Sequence, residues 1–162
     1  MKFIAITETN YPKVAEIYKL GLETKIATFE TQVLDFSTWN KKYLPFCRIA
    51  LEHNNEILGW SALTKVSNRQ VYAGVAEVSI YIHPKYWNKK VGTKLLLELI
   101  ERSEQNGIWT LQCGIMSDNL ASIKLHEKCG FRIIGYREKI GCLNGIWKDN
   151  VLMERRSKRI GV

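Results

Sequence analysis

No run of apolar residues in this sequence approaches the length that crosses a bilayer, although hydrophobic residues make up 46% of it. The opening residues, Met1-Lys-Phe-Ile-Ala-Ile-Thr-Glu8, lack the apolar core of a signal peptide. A cytoplasmic protein with no membrane partner is therefore expected. Cysteine is scarce. Cys47, Cys113, Cys129 and Cys142 match no zinc or redox spacing, and nothing near them supports a catalytic Cys–His pair. Reduced thiols are expected, with Cys113 and Cys129 acting as small buried hydrophobes. His53 and His83 sit at turns without a partner at ligand spacing, so no metal is predicted. Internal repeats, low-complexity segments and linkers are also missing. At 162 residues, one domain with a sizeable core follows.

What the chain does have is positive charge, +8 in all. The segment Arg155-Arg-Ser-Lys-Arg159 supplies four of those charges, leaving +4 on residues 1–154. This reads as a domain over 1–154 and a solvated basic tail over 155–162. A basic body suits an anionic ligand. A nucleic-acid-binding module that uses the full charge is a rival from another class, and it is disfavoured.

The pattern along the chain is mixed. Residues 3–6 read as a short strand. Thr9 or Asn10 can cap a helix with Pro12 in its first turn, ending near Gly21. Residues 23–31 read as a loop, and Ser37 or Thr38 starts a second helix with Trp39 and Tyr43. A hairpin spans 48–52 and 56–63, with a break at 67–70. A strand over 77–82 leads through a basic turn into a helix ending at about Gln105, and Asn106-Gly107 stops it. A strand at 109–115, a helix capped within Ser117-Asp118-Asn119, and strands at 133–139 and 149–155 complete the order β-α-α-β-β-β-α-β-α-β-β. The fold class is α/β: one domain whose mixed, largely antiparallel sheet is flanked by helices. Segments 78–100 and 109–129 are the clear parallel crossovers.

The first crossover is the centre of the chain. Val78, Ile80 and Ile82 alternate with Ser79 and Tyr81, which is strand periodicity, and Leu95, Leu96, Leu99 and Ile100 recur at helical spacing. Between them lie Lys85, Lys89, Lys90 and Gly92. A helix start has free N–H groups and partial positive charge, so a basic turn feeding it suggests a phosphate or pyrophosphate site. A solvated crossover loop is the plain alternative.

This order, the turn Trp87-Asn-Lys-Lys-Val-Gly92 and the segment Asn119-Leu-Ala-Ser-Ile-Lys-Leu-His-Glu-Lys-Cys-Gly-Phe131 together resemble the GNAT N-acetyltransferase superfamily over nearly the whole chain. That family's turn reads Gln/Arg-x-x-Gly-x-Gly/Ala, and its amides hold the pyrophosphate of acetyl-CoA. Here only Gly92 fits. Trp87 replaces the Gln/Arg, and Lys90 replaces the middle glycine, so Lys90 needs φ below zero or some strain. The second segment fits Asn-x-x-Ala/Ser-x-x-Leu-Tyr/His-x-x-x-Gly-Phe throughout. Three further stretches resemble the branch with phosphinothricin and methionine sulfone/sulfoximine acetyltransferases: residues 23–31; Arg69-Gln-Val-Tyr72 with Ala76-Glu77 and Tyr81-Ile-His-Pro84; and Gly141-Cys-Leu-Asn-Gly-Ile-Trp-Lys-Asp149, where Leu143 replaces a common Lys.

The resemblance implies acetyl-CoA-dependent N-acetylation of a small amino acid or analogue by direct attack on the thioester. Other amines, such as a peptide N-terminus or a polyamine, and a non-catalytic CoA-binding module are the alternatives. It implies Glu77 as the base for the acceptor's ammonium, and His126 near the sulfur as acid or proton relay. Backbone of Ile80, Tyr81 and Ile82 would polarise the acetyl oxygen and pair with the pantetheine arm. Asn88, Lys89, Lys90, Val91 and Gly92, beside Trp87, would hold the pyrophosphate. Asn119 is a pantetheine ligand, a helix cap, or both. Arg69 with Tyr72 is the first choice to clamp a carboxylate, ahead of Lys25 and Lys65. Phe29, Trp60 and Trp147 are candidates for lining the acceptor pocket, with the core as the plain alternative for such aromatics and a subunit contact as the alternative for Trp147. The branch is typically homodimeric, so a homodimer is expected.

Overall fold

A computed structural model describes residues 1–162. Seven strands form one sheet: β1 (Lys2–Ala5), β2 (Ile49–His53), β3 (Glu56–Lys65), β4 (Val75–Ile82), β5 (Thr110–Met116), β6 (Arg132–Leu143) and β7 (Ile146–Arg156). Four helices accompany them: α1 (Tyr11–Glu23), α2 (Phe36–Lys42), α3 (Val91–Gln105) and α4 (Leu120–Lys128). The fold class and the element order match the sequence reading. No helix is long and apolar enough to cross a membrane.

The sheet order is β1-β2-β3-β4-β5-β7-β6, and only β4 and β5 pair in parallel. The second expected crossover differs from a simple one. β6 lies one strand beyond β5, and β7 inserts antiparallel between them. The reason is the β6–β7 hairpin, which folds back at Asn144-Gly145 with φ of 50° and 79°. Positive φ at both central residues suits a two-residue hairpin turn, and Asn-Gly tolerates it. The strands therefore run on through 140–143 and 146–148, which the sequence reading left outside them.

Strand alternation sends side chains to two cores. Trp60 and Ala62 of β3 pack with Val14, Ile17, Tyr18 and Trp39 under α1 and α2. Leu63 and Val78 pack with Leu95, Leu96 and Leu99 of α3 on the other face. Each of those three leucines is fully buried, a contribution of roughly 2 kcal/mol apiece. The cap of α2 is Asp35, whose Oδ1 accepts from Thr38 N at 2.8 Å, rather than Ser37 or Thr38.

The tail is tied down by hydrogen bonds and ion pairs, although Arg156, Lys158 and Arg159 stay exposed. Arg155 and Arg156 belong to β7. The Arg156 guanidinium donates to the carbonyls of Ser157 at 2.9 Å and Ile160 at 3.0 Å. Arg155 reaches buried Glu104 at 2.9 Å, and Arg159 reaches Glu101 at 2.6 Å.

Candidate active site

The site is an opening in the sheet. β4 and β5 pair only from Val75–Thr110 to Glu77–Gln112. Beyond that point β4 stays with β3 as far as Ile82, and β5 stays with β7 as far as Met116. Alternate backbone groups of residues 78–82 therefore face the gap without a strand partner, and such groups need one. Two cavities of about 500 and 490 Å³ meet there, sharing Ala27, Ile80, Tyr81, Asn119 and Ser122 in their walls.

The smaller cavity is a groove at the start of α3. Ile82, Trp87, Asn88, Lys90, Val91 and Gly92 line one side of it. Lys124 and Lys128 of α4 add positive charge opposite. No side chain caps α3. Its first amides are thus free donors at the positive end of the helix dipole. Lys90 adopts φ +62°, the strained alternative among the two open to it. Asn88 is also left-handed, at φ +60°. Trp87 donates its indole N–H to Ile82 O at 3.0 Å, which pins the turn to the end of β4. Lys89 is not part of the groove wall, and its ammonium lies over the Tyr86 ring at 5.4 Å. The residues of this groove fit an anion such as a pyrophosphate: free amides and lysines converge, with no carboxylate among them.

Asn119 closes the seam between the cavities. Its Oδ1 accepts from Ser122 N at 3.2 Å, capping α4. Its Nδ2 donates to Ile26 O at 3.2 Å, holding the loop after α1 across the gap. Two turns on, His126 is buried and lines the larger cavity. Its Nδ1 lies 2.8 Å from Ser122 O. A carbonyl can only accept, so Nδ1 carries the proton and a neutral ring presents a bare lone pair at Nε2. Burial pushes the His126 pKa down, keeping it neutral, and Nε2 is buried without a partner. A neutral His126 in this tautomer accepts a proton at Nε2 and cannot donate one there.

The larger cavity has Glu77 at the point where the strands part. Glu77 Oε2 accepts from Gln112 Nε2 at 3.3 Å. Cys113 lies beside it, and burial, with the Glu77 charge adding, pushes the thiol up to about 12. Phe29 forms part of the roof. A Cβ on Gly141 would lie 2.6 Å from the Phe29 ring, so glycine there is what lets the loop pack onto β6.

Four of the expected acceptor residues lie elsewhere. Trp60 is fully buried in the α1–α2 core, and Trp147 is exposed on the β6–β7 hairpin. Arg69 and Tyr72 line neither cavity. Arg69 caps and Tyr72 ends the short helical turn Gln70–Tyr72 before β4, with the guanidinium 5.4 Å from the Tyr72 ring centre.

Comparison with known proteins adds an independent result. The family described as "Acetyltransferase (GNAT) family" matches residues 12–131. The chain belongs to that family. A phosphinothricin N-acetyltransferase of Alcaligenes faecalis is 31% identical, over 93% of this chain and 79% of the relative. An L-methionine sulfoximine/L-methionine sulfone acetyltransferase of Salmonella typhimurium is 27% identical, over 87% of this chain and 85% of the relative. Two solved structures show the same fold. One is a phosphinothricin acetyltransferase of Sinorhizobium meliloti in complex with AcCoA, with TM-score 0.85, 24% identity and coverage of 96% and 87%. The other is a ribosomal-protein-alanine N-acetyltransferase of Brucella melitensis, with TM-score 0.87, 22% identity and coverage of 97% and 100%. The sequence-based class, an acetyl-CoA-dependent N-acetyltransferase, agrees with these relatives.

Sequence reasoning missed three polar residues in the larger cavity of this GNAT acetyltransferase: Gln112, Arg137 and Asn150. No local motif marks them. Their placement depends on β7 lying between β5 and β6, which sets Arg137 opposite Asn150 and Asn150 opposite Met116.

Proposed function

We propose that this protein acetylates the amine of a small amino acid or amino-acid analogue, of the methionine sulfone/sulfoximine or phosphinothricin kind, by direct transfer from acetyl-CoA. The observation that carries the reading is the gap between β4 and β5, which joins a groove at the uncapped α3 start to a cavity with a carboxylate at its mouth. Acetyl-CoA supplies the activated acetyl thioester. The free amides at the α3 start, with Lys90, hold its pyrophosphate. The unpaired edge of β4 takes the amides of its arm as a strand partner and aims an N–H at the acetyl oxygen.

Glu77 takes the proton from the acceptor's ammonium, because only the neutral amine is a nucleophile. Gln112 orients that carboxylate. Cys113 keeps its proton, which favours direct attack over an acetyl-cysteine. His126 acts as a relay that accepts before it donates, a narrower role than acid toward the sulfur. The exposed apolar side chains of the β6–β7 hairpin, Ile133, Ile134, Tyr136, Ile140, Ile146 and Trp147, suit a second copy of the chain.

The test is free-CoA release across a panel of amines: methionine sulfone, methionine sulfoximine, phosphinothricin, a polyamine and a peptide with a free N-terminus. Fastest turnover of the amino-acid analogues is expected. A clear preference for the peptide or the polyamine would overturn the substrate class.

A further inference from the structure

The larger cavity holds a guanidinium that the mechanism does not use. Arg137 lines the wall formed by β6 and β7, away from Glu77. The other arginines of the chain have partners. Arg48 donates to backbone carbonyls, and Arg102, Arg132, Arg155 and Arg159 pair with carboxylates. Arg156 holds the tail, and Arg69 stacks on Tyr72. Arg137 has neither a hydrogen bond nor an ion pair, although Glu30 lines the same cavity; that carboxylate is paired with Lys42 at 3.0 Å.

The register places this guanidinium on the same sheet face as Glu77. Arg137 is opposite Asn150, and Gln112, next to Glu77, is on the face that carries Gly114 and Met116. The Asn150 side chain lies over Gly114, where a Cβ would sit 2.9 Å from its Nδ2. Asn150 Oδ1 is buried without a partner. A polar wall thus runs from Glu77 and Gln112 through Asn150 to Arg137. Its ends carry opposite charges, the arrangement that reads a molecule with an amine at one end and an oxyanion at the other.

Resting on the amino-acid reading above, we propose that Arg137 is a specificity-determining residue that binds an oxyanion of the acceptor. A carboxylate and a side-chain phosphinate share the required chemistry: two oxygens that accept paired N–H bonds from a guanidinium. Arg137 takes the place that sequence reasoning assigned to Arg69.

The experiment compares kcat/KM of wild type, Arg137→Gln and Arg137→Lys on methionine sulfone, its carboxamide and phosphinothricin. Arg137 is exposed at the rim of the cavity, and loss of a charge-assisted bond from such a guanidinium to a bound oxyanion corresponds to about a tenfold fall. Arg137→Gln is expected to lose about that factor on methionine sulfone, chiefly through KM, and about twofold or less on the carboxamide. Arg137→Lys is expected to recover part of the loss, and KM for acetyl-CoA to stay unchanged. Loss confined to phosphinothricin identifies the phosphinate as the oxyanion. Equal loss on acid and amide, or no loss at all, overturns the assignment. If wild type prefers another amine, the amino-acid reading fails, and an acid–amide pair built on that amine decides Arg137 by the same criterion.

Discussion

The two cavities are nearly equal in size and differ in how they are made. Half of the groove at α3 comes from one continuous segment, the end of β4, the basic turn and the first turn of a helix, and it faces the end of α1, the loop after it and α4. The larger cavity collects the loop after α1, the mouth of β4 and β5, Ser122 and His126 of α4 and the facing strands β6 and β7. A continuous segment carries its chemistry wherever the chain puts it, because free helix amides need only a helix start. A composite wall exists only after distant strands have taken their register. The difference also shows in tolerance. The groove keeps its donors with a lysine in a left-handed position where glycine would be relaxed. The larger cavity depends on glycine at 141 for the Phe29 ring and at 114 for the Asn150 amide.

Replacement of Glu77 by Gln should separate the two cavities most sharply. We expect kcat to fall about 100-fold, the scale of a lost general base, with acetyl-CoA affinity unchanged. The deficit should shrink as pH rises, because the acceptor's amine then loses its proton unaided. A steady-state pH series with acetyl-CoA titrations checks both points, and a wild-type rate removes Glu77 from the mechanism.

A smaller effect is expected in the groove. Lys90→Gly relieves a left-handed lysine and should stabilise the fold by roughly 1 kcal/mol, about 2–4 °C in Tm. Acetyl-CoA binding should weaken at the same time, since a positive charge leaves the groove wall. Thermal melts with and without cofactor read both. A lower Tm in the apo variant contradicts the strain.

The smallest effect lies at the seam. His126 has its folded pKa below the ordinary value of 6.5 because it is buried. The unfolded chain therefore binds the extra proton first as pH falls. Stability drops from near that value down to the folded pKa and is constant above it. His126→Gln should flatten this window, so the Tm difference between about pH 7.5 and about pH 5.5 should be smaller in the variant. An undiminished difference would mean that His126 is charged in the folded state.

Much of the fold is legible from periodicity and caps. The order of the eleven elements, the strand–turn–helix at the centre and the Asn119 cap all depend on residues close in sequence. The misses share one cause. Arg69 sits near Glu77 in sequence but on the outside of the β4 entrance, and sequence distance says nothing about the side of a turn. Trp60 and Trp147 have similar chemistry, and only packing sends one into the core and leaves the other exposed. Arg155 and Arg156 look like a free basic tail until β5 pairs with them.

The sequence by itself determined the strand–turn–helix at the centre and the family, because each rests on backbone geometry or a short ordered motif. Tertiary structure decided where β4 and β5 part, which tautomer His126 holds, and that Arg137 and Asn150 face the same cavity as Glu77. Those outcomes follow from strand insertion and burial, which couple residues far apart in the chain and leave no mark in any one stretch of it.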